Sequence, residues 1–405
     1  MQLLVPFEKE ISITELATMT KGPTFAPFST EVMTLCMQIA EHLFADSKAL
    51  EFPELQALAF FMRKSALTQL KSQFDELKSN NCLLCPRGLV FHIPPSNVDS
   101  IFVYSWLLSA LCGNRNILRI SSRHAEQTEI LLNALRICLK KSSKDLANST
   151  LIVSYGHENE ITEAISQLSD MRVIWGGDQT VSSIRRAQLP PHAKEITFAD
   201  RYSLSAISAK SYLALDEKSR SELAKNFYND TFWFDQLGCS SPRLIIWLGK
   251  TTETDAASEH FWIELKGEVD KHNYSLPTGA VLSKMAAGFQ AVIDQPVVHH
   301  KQLGNEINIL DLDSMAEISR NHPGMGLFYQ YRADNLSELS TYFKRKDQTL
   351  TYFGIGRDEI LSLVSSLNGQ AIDRLVPIGQ ALAFNRYWDG YDLLREFTKC
   401  VYVEA

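Results

Sequence analysis

A cysteine between a small-residue turn and an apolar strand is the residue of this sequence best suited to covalent chemistry. Cys239 lies in the segment FDQLGCSSPR, residues 234–243, directly before the apolar run 244–248. A thiolate attacks acyl carbonyls readily, and a Gly-Cys-Ser turn ahead of a buried strand leaves the sulfur reachable and close to backbone N–H donors. The alternative is that Cys239, like most cysteines, is a small buried hydrophobic residue. We take Cys239 as the candidate nucleophile.

The other six cysteines bear on metal binding and on the redox environment. An odd total of seven, scattered through a long chain, predicts free thiols in a reducing compartment. Cys82 and Cys85 have the spacing of one half of a four-ligand zinc site. No second pair follows in the sequence, so His92 and Cys112 could complete the site only if the fold brought them close. The leucines between Cys82 and Cys85 favour core packing instead, so we predict no metal site.

A second candidate lies where a predicted strand ends in two prolines, in the segment HIPPSNVDS, residues 92–100. The amide of Asn97, held at a helix start, could donate to a developing oxyanion. Ser96 and Asn97 are equally favoured as plain helix caps. The residues alone leave both interpretations open.

Two further turns suit a dinucleotide. Arg119 lies near the end of the predicted strand 116–120, where a cation suits a ribose or a 2′-phosphate, or is a solvated strand end. Gly176 and Gly177 follow the predicted strand 171–175 and precede a helix, so that the backbone and the helix start could approach a pyrophosphate. Diglycine turns are common, however, and no G-x-G-x-x-G pattern follows any predicted strand.

The elements that must position these residues alternate between strands and helices. Near-continuous apolar strands, separated by helical stretches, are typical of parallel sheets covered on both faces. The sequence therefore predicts an α/β protein made of two α/β domains with parallel sheets, a Rossmann-like cofactor domain and a catalytic domain. We predict strands at 88–93, 116–120, 151–153, 171–175, 243–248, 326–331 and 350–354, and helices at 98–112, 125–139, 158–168, 179–187, 216–234, 256–269, 277–290, 336–344 and 357–367.

The domain bounds follow from these elements. Residues 1–208, whose first 80 residues are largely helical with an apolar period over 53–77, form the dinucleotide-binding domain, and residues 375–405 return to it. Residues 209–374 form the catalytic domain that carries the cysteine. Because no long linker separates the domains, we expect the site in a cleft between them.

Composition excludes several functional classes. The chain has 405 residues, 45% hydrophobic and 21% charged, with a formal charge of −7, which is ordinary for a globular enzyme and argues against nucleic acid as the main partner. The longest apolar stretch, residues 101–112, is too short for a membrane span. The first residues lack a basic leader with a long apolar core, so we predict a cytoplasmic protein.

The order of these motifs resembles the aldehyde dehydrogenase superfamily, and within it the LuxC-type acyl-CoA reductases, which include the fatty-acid reductase of bacterial bioluminescence. The resemblance covers residues 86–400. The motifs that carry it are HIPPSNVDS at 92–100, GNRNILRIS at 113–121, WGGD at 175–178, FDQLGCSSPR at 234–243, VPIGQAL at 376–382 and WDGYDL at 388–393.

This resemblance implies a role for each matching residue. Cys239 would be the nucleophile, and Asn97 with the backbone N–H of Cys239 would form the oxyanion hole. The cofactor would be NADPH, with NADH as the alternative, bound along Arg119 and the Gly176 and Gly177 turn, and we assign Ser96 to the same site.

One departure from the superfamily indicates the direction of the reaction. Aldehyde dehydrogenases that release a free acid carry a Glu-Leu-Gly-Gly segment whose glutamate activates water. The corresponding residues here, 197–203, read TFADRYS, and Glu195 lies upstream and out of register. Hydrolysis of an acyl-enzyme needs that base, whereas reduction does not. Asp200 and His192 remain as weaker candidates for a proton carrier.

The sequence thus predicts an acyl-CoA reductase that converts an acyl thioester, carried by coenzyme A or an acyl-carrier protein and of fatty acyl type, to an aldehyde through an acyl-cysteine. Two alternatives remain open: an acyl transferase or thioesterase-like protein that uses the same cysteine without a hydride step, and an inactive scaffold subunit. The resemblance also implies a homo-oligomer and a partner enzyme that supplies the acyl group.

Overall fold

The computed structural model of the protein describes residues 1–79, 81–95, 100–122, 125–156, 158–316 and 318–404. The chain forms two compact units. Unit 1 comprises Met1–Asp200 and Phe384–Ala405, and unit 2 comprises Arg201–Ala383. Both units contain a sheet of mainly parallel strands with helices, which confirms the predicted α/β class.

Unit 1 begins with a short strand pair and a group of helices before its parallel sheet. Its elements up to residue 200 are β1 (Gln2–Val5), β2 (Lys9–Glu10), α1 (Ile13–Met19), α2 (Thr30–Ala45), α3 (Pro53–Met62), α4 (Lys64–Asp75), β3 (Cys82–Pro86), β4 (Leu89–Ile93), α5 (Ile101–Leu111), β5 (Arg115–Ile120), α6 (Glu126–Lys140), α7 (Lys144–Ala147), β6 (Thr150–Ser154), α8 (Asn159–Leu168), β7 (Met171–Trp175), α9 (Asp178–Ile184) and β8 (Lys194–Phe198).

The strand order of the unit 1 sheet is β2-β1-β6-β5-β4-β7-β8. Strands β4 to β8 run parallel, and every residue of β4, β6 and β7 is buried. From β4 the chain adds β5 and β6 on one side and then returns to add β7 and β8 on the other. The order therefore reverses between β4 and β7, and open α/β sheets bind ligands at the carboxyl ends of the strands beside such a reversal.

Unit 2 is one continuous segment. Its elements are β9 (Tyr202–Ser208), α10 (Ala209–Leu213), α11 (Glu217–Phe232), β10 (Pro242–Leu248), α12 (Thr251–Lys271), α13 (Thr278–Asp294), β11 (Val297–Leu303), β12 (Ile307–Leu312), β13 (Leu327–Ala333), β14 (Asp347–Phe353), α14 (Arg357–Leu367) and β15 (Arg374–Pro377).

The strand order of the unit 2 sheet is β11-β12-β13-β10-β9-β14-β15, and only the edge strand β11 is antiparallel to its described neighbour. Alternate residues of β10 point to opposite faces. Leu244 packs into a core on one face, and Ile245 packs on the other against Phe227 of α11. Both faces are covered, which explains the unbroken apolar sequence of β10.

The chain then returns to unit 1. The last described elements are β16 (Tyr387–Trp388), β17 (Tyr391–Asp392), α15 (Leu393–Glu396) and β18 (Thr398–Tyr402). Asp389 and Gly390, both with positive φ, form the two-residue turn between β16 and β17. Trp388 is buried. Its ring centroid lies 5.5 Å from that of Tyr104 and 6.4 Å from that of Trp175.

The cysteines correct one expectation. Cys82 of β3 and Cys400 of β18 form a disulfide between paired antiparallel strands, so not every thiol is free. The odd cysteine count could not reveal this bond, because it depends on a pairing between residues 318 positions apart. The bond also removes Cys82 from the half zinc site, and the described residues contain no cluster of three potential metal ligands.

Two helical predictions were wrong in detail. Residues 336–344 form only a short 3₁₀ turn, Ser337–Leu339. Leu336, Leu339 and Phe343 have the spacing of a helical face, but they are buried in the unit 2 core without a continuous helix. The apolar period over 53–77 is divided between α3 and α4 at Arg63, whose extended backbone ends the first helix. In the part of the chain that the structure describes, no helix is both long and apolar enough to cross a membrane.

A buried polar chain ties α5 to the centre of the unit 1 sheet. His92 of β4 is fully buried; its Nδ1 lies 2.8 Å from Ser105 Oγ and its Nε2 lies 3.0 Å from Asn116 Oδ1. Trp175 Nε1 donates to the same serine over 3.2 Å. An amide oxygen only accepts, so Nε2 carries the proton and the ring is neutral. Burial lowers the pKa of His92 to about 4.

This lowered pKa predicts an acid-sensitive contribution to stability. The unfolded chain protonates His92 below about pH 6.5, whereas the native chain does so only near pH 4, so native stability is lost as pH falls through that window. Relative to His92→Gln, the wild-type free energy of unfolding should therefore decrease by about 3 kcal/mol between pH 6.5 and 4. Urea unfolding of both proteins across this range measures the difference, and a difference independent of pH would contradict the assignment.

Candidate active site

Cys239 lies at the corner of a tight turn at the amino end of β10. The Ser241 N–H donates to the Gly238 carbonyl over 3.1 Å, which makes Cys239 and Ser240 the central residues of a β-turn. Cys239 is outside any disulfide and only partly buried. Its Sγ lies 3.9 Å from Ser240 Oγ.

The strand side of this turn rests on polar groups of β9 and β14. Ser203 Oγ donates to the Cys239 carbonyl over 2.7 Å and accepts from the Thr349 N–H over 3.3 Å. Ser240 Oγ donates to Gln348 Oε1 over 3.3 Å. These bonds fix the backbone that carries the thiol to two neighbouring strands of one sheet.

Gln236 holds the turn from the other side. Asp235 and Gln236 both have positive φ, 50° and 60°, which is a costly backbone for residues other than glycine. The Gln236 side chain is fully buried; its Nε2 donates to the Pro242 carbonyl over 2.8 Å, and its Oε1 accepts from the Gly326 N–H over 3.0 Å. One amide thus joins the start of β10 to a separate loop and stabilises the reversal before Cys239.

That separate loop, residues 324–326, is a part of the site that the sequence analysis missed. The Met325 N–H donates to the Asp235 carbonyl over 2.7 Å. Gly324 has φ +75°, and a Cβ on it would lie 3.0 Å from the carbonyl oxygens of both Asp235 and Gln236. The Gly-Met-Gly sequence signals a turn, but its contact with the cysteine turn depends on the tertiary fold.

Burial separates Cys239 from most other free thiols. Cys36, Cys112 and Cys138 are buried, and desolvation raises the pKa of each thiol. A raised pKa lowers the thiolate fraction and with it the reactivity. Among the free cysteines, Cys239 and Cys85 are the partly exposed ones.

Glu195, the carboxylate nearest in sequence to the missing superfamily glutamate, has a structural role on β8. Its Oε2 accepts from Arg172 Nε over 2.8 Å, and its Oε1 accepts from Arg185 Nε over 2.8 Å. Both oxygens of this carboxylate are therefore engaged by arginines of unit 1. His192, which the sequence offered with Asp200 as a proton carrier, is exposed, with Nε2 3.5 Å from Asp170 Oδ1.

Arg119 lies at the carboxyl end of β5, beside the residues that follow β6. Its Nη2 donates to the Gly156 carbonyl over 2.7 Å, and its guanidinium carbon lies 4.9 Å from the Tyr155 ring centroid. The position is therefore organised, since a cation–π contact and a hydrogen bond orient the guanidinium.

The turn after β7 brings two acidic side chains to its glycines. Asp200 Oδ2 accepts from the Asp178 N–H over 3.2 Å, and Asp178 Oδ1 accepts from the Asp200 N–H over 3.3 Å. A Cβ on Gly177 would lie 3.2 Å from the Asp200 carboxylate oxygens, and one on Gly176 would lie 3.1 Å from Thr180 Cγ2. The first amide of α9, which the sequence suggested for a pyrophosphate, is bonded to Asp200 in this structure.

Ser96 and Asn97 lie outside the described residues. The elements on either side of them are described: β4 ends at Ile93, and α5 begins at Ile101. In sequence, Ser96 and Asn97 therefore follow β4, one of the two strands between which the order of the unit 1 sheet reverses.

Comparison with solved structures identifies the fold of the chain. Aldehyde dehydrogenase 21 of Physcomitrella patens is similar over 98% of this chain and 92% of its own, with a TM-score of 0.68 and 10% identity. A putative aldehyde dehydrogenase of Burkholderia cenocepacia is similar over 96% and 91%, with a TM-score of 0.68 and 13% identity. An oxidoreductase of Marinobacter aquaeolei is similar over 100% and 94%, with a TM-score of 0.67 and 11% identity. The chain therefore has the aldehyde dehydrogenase fold.

The family model of the LuxC acyl-CoA reductases matches residues 64–400. The chain belongs to this family of oxidoreductases, which confirms the resemblance stated from the motifs. No curated protein sequence matches the chain.

The two hydrogen bonds of Gln236 predict a large stability loss on truncation. Gln236→Ala should lower the free energy of unfolding by about 2–6 kcal/mol, because it leaves a buried carbonyl and a buried N–H without partners. Gln290→Ala is the control, since Gln290 is exposed on α13 and its amide donates to Asp294 of the same helix. It should cost less than about 0.5 kcal/mol. Urea unfolding measures both, and similar losses would show that the bridge contributes little.

Proposed function

We propose that this protein reduces an acyl thioester, fatty acyl-CoA or acyl-carrier protein, to an aldehyde through an acyl-enzyme on Cys239. The observation that carries the proposal is the position of Cys239, a partly exposed cysteine outside any disulfide, at the corner of a turn held by hydrogen bonds, in a chain of the acyl-CoA reductase family.

The first step is acyl transfer. The Cys239 thiolate attacks the thioester carbonyl carbon, a new C–S bond forms, and the carrier C–S bond breaks to release the carrier thiolate, which takes up a proton. The tetrahedral intermediate carries an oxyanion, and we propose the Asn97 amide and the Cys239 N–H as its donors. The bonds from Ser203 and Gln236 limit the movement of the backbone that carries the sulfur.

A nicotinamide dinucleotide fits the unit 1 fold. The reversal of strand order between β4 and β7, the glycine turn at the end of β7 and the guanidinium at the end of β5 are typical of such a site. Asp200 already accepts the first amide of α9, so we assign a phosphate of the cofactor to Arg119 instead. Gly176 and Gly177 would let the backbone approach the cofactor closely, and we place Ser96 in the same site. A 2′-phosphate partner for Arg119 favours NADPH, with NADH as the alternative. When bound, the reduced cofactor would supply the hydride that converts the acyl-cysteine to a thiohemiacetal, which collapses to aldehyde and thiol.

The surroundings of Glu195 support reduction over hydrolysis. Hydrolysis requires a base to activate water, and Glu195 is occupied by Arg172 and Arg185. An acyl-enzyme that is not hydrolysed persists until it is reduced.

Three features of context belong to the proposal. We propose a homo-oligomer, because α13 exposes Leu282, Phe289 and Ile293 on its surface and exposed apolar side chains in a group mark protein contacts. We retain the cytoplasm as the location, on the free cysteines. An acyl-supplying partner enzyme follows from the family resemblance alone.

The nucleophile has a direct test. Cys239→Ala should abolish both acyl labelling of the protein and oxidation of NADPH by acyl-CoA, measured by intact-protein mass and by loss of absorbance of the reduced cofactor. Cys85→Ala, which removes the other partly exposed free thiol, should retain both. Retained activity in Cys239→Ala would remove the cysteine from the mechanism. Labelling of the wild type without cofactor oxidation would instead support the transferase or thioesterase alternative. A wild type that shows no labelling and no cofactor oxidation would support the scaffold alternative.

The role of Asn97 is tested by the rate of acylation. Asn97→Ala should slow single-turnover acylation of Cys239 by about a hundred- to a thousand-fold if the amide stabilises the oxyanion. Ser12→Ala is the control for loss of a helix cap, because Ser12 Oγ accepts from the Glu15 N–H at the start of α1. It should lower stability by about 1 kcal/mol without affecting acylation. An Asn97→Ala variant that behaves like this control would make Asn97 a cap.

A further inference from the structure

A buried carboxylate on α11 holds a loop of unit 2. Asp230 is 1% exposed, and its two oxygens accept different backbone amides, Oδ2 from Gly379 over 2.6 Å and Oδ1 from Ala381 over 2.9 Å. Burial raises the pKa of Asp230 to about 7, against the opposing effect of these amides and of Arg374. Both oxygens of the carboxylate are used, and they hold two positions of the 378–383 loop.

Arg374 of β15 binds the same loop through its carbonyls. Its Nη2 donates to the Gln380 carbonyl over 2.6 Å and to the Ala383 carbonyl over 3.3 Å. Gly379 has φ +93°, and a Cβ on it would lie 2.9 Å from Asn226 Cβ of α11. The 378–383 loop is therefore bonded to a carboxylate on its N–H groups and to a guanidinium on its carbonyls, in direct contact with the helix.

The loop places an apolar side chain against the cysteine turn. A Cβ on Gly238 would lie 3.3 Å from Leu382 Cδ2, and Leu382 is only partly buried. Gly238 directly precedes Cys239. On the strand side the turn contacts hydroxyl and amide groups such as Ser203 and Gln348, so Leu382 supplies the apolar surface that an alkyl chain on Cys239 could contact.

We propose that Leu382 determines which acyl chains fit beside Cys239, and that Asp230 and Arg374 are positioning residues that hold it there. The proposal rests on the acyl transfer to Cys239 described above. The volume of the Leu382 side chain would set how much room an acyl chain has beside Cys239. In an apolar pocket, each methylene group that gains or loses contact changes the rate about 10-fold or more.

The volume of residue 382 is tested first. Single-turnover acylation, followed by intact-protein mass without cofactor, gives a rate for each of a panel of acyl-CoA substrates from butyryl to tetradecanoyl. Relative to the wild type, Leu382→Ala should shift the ratio of long-chain to short-chain rates at least about 10-fold upwards, and Leu382→Phe should shift it downwards. Leu361→Ala, a truncation of an exposed leucine on α14, should leave the ratio unchanged.

The positioning role is tested on the same ratio. Asp230→Asn replaces one accepting oxygen by a donor and breaks one of the two loop bonds, so it should shift the chain-length ratio in the direction of Leu382→Ala. Asp216→Asn makes the same chemical change at the exposed cap of α11, where Oδ1 accepts from the Ser219 N–H, and should not shift the ratio. A ratio measured within one preparation does not change with the folded fraction, so mere destabilisation would not mimic the effect.

The outcomes separate the two proposals. If no acyl-CoA acylates the wild type, the proposed function fails. If the wild type is acylated and both Leu382 variants keep its chain-length profile, this inference is overturned while the proposed function stands. If Asp230→Asn does not fold, the Leu382 variants still decide the specificity role, and Arg374→Lys, which keeps the charge but loses the paired donation, decides the positioning role by the same ratio.

Discussion

The turn that carries Cys239 depends on the side-chain amide of Gln236. The chain must reverse between the end of α11 and the start of β10, and it does so through two consecutive residues with positive φ, each of which costs about 1–3 kcal/mol. The amide offsets this cost by pairing a strand carbonyl and a loop N–H that would otherwise be buried without partners. That pairing acts together with the Ser241–Gly238 hydrogen bond and the Ser203 hydroxyl, which hold Cys239 at the corner of its turn. The strained backbone is thus maintained by contacts from a distant part of the sequence, the Gly324–Gly326 region.

The groups around Cys239 differ in character from one side to the other. On the strand side, Ser203 and Gln348 form a polar layer at the amino ends of β9 and β14, and on the loop side Leu382 presents methyl groups. The thioester that we propose as substrate would use both environments, because its carbonyl would become charged during the reaction while its alkyl chain would not. In unit 1, Glu195 lies close in sequence to the position of the superfamily's catalytic glutamate. Arg172 and Arg185 bind both of its oxygens, so its role here is structural.

The sequence predicts unbroken apolar strands best, but it missed β9 and β12, two buried strands inside the unit 2 sheet whose apolar runs are interrupted by polar residues. Strands such as β7 and β10 are buried on both faces, so an unbroken apolar run identifies them, and the motif around Cys239 is local in sequence. The edge strand β11 escaped prediction because most of its side chains are exposed and carry no apolar period. The Asp230 contact with Gly379 joins residues 149 positions apart, and the disulfide spans a still longer distance. Contacts of this kind have no local pattern, so only the fold reveals them.

The insertion of unit 2 into unit 1 has a consequence for biosynthesis. Unit 2 is continuous, so a nascent chain can complete its core once residue 383 has left the ribosome. Unit 1 cannot, because Trp388, which packs beside Tyr104 and Trp175, is translated after all of unit 2. Residues 1–200 must therefore wait, with part of their aromatic core uncovered, until the segment that contains Trp388 has been made. Apolar surface exposed during this interval favours aggregation.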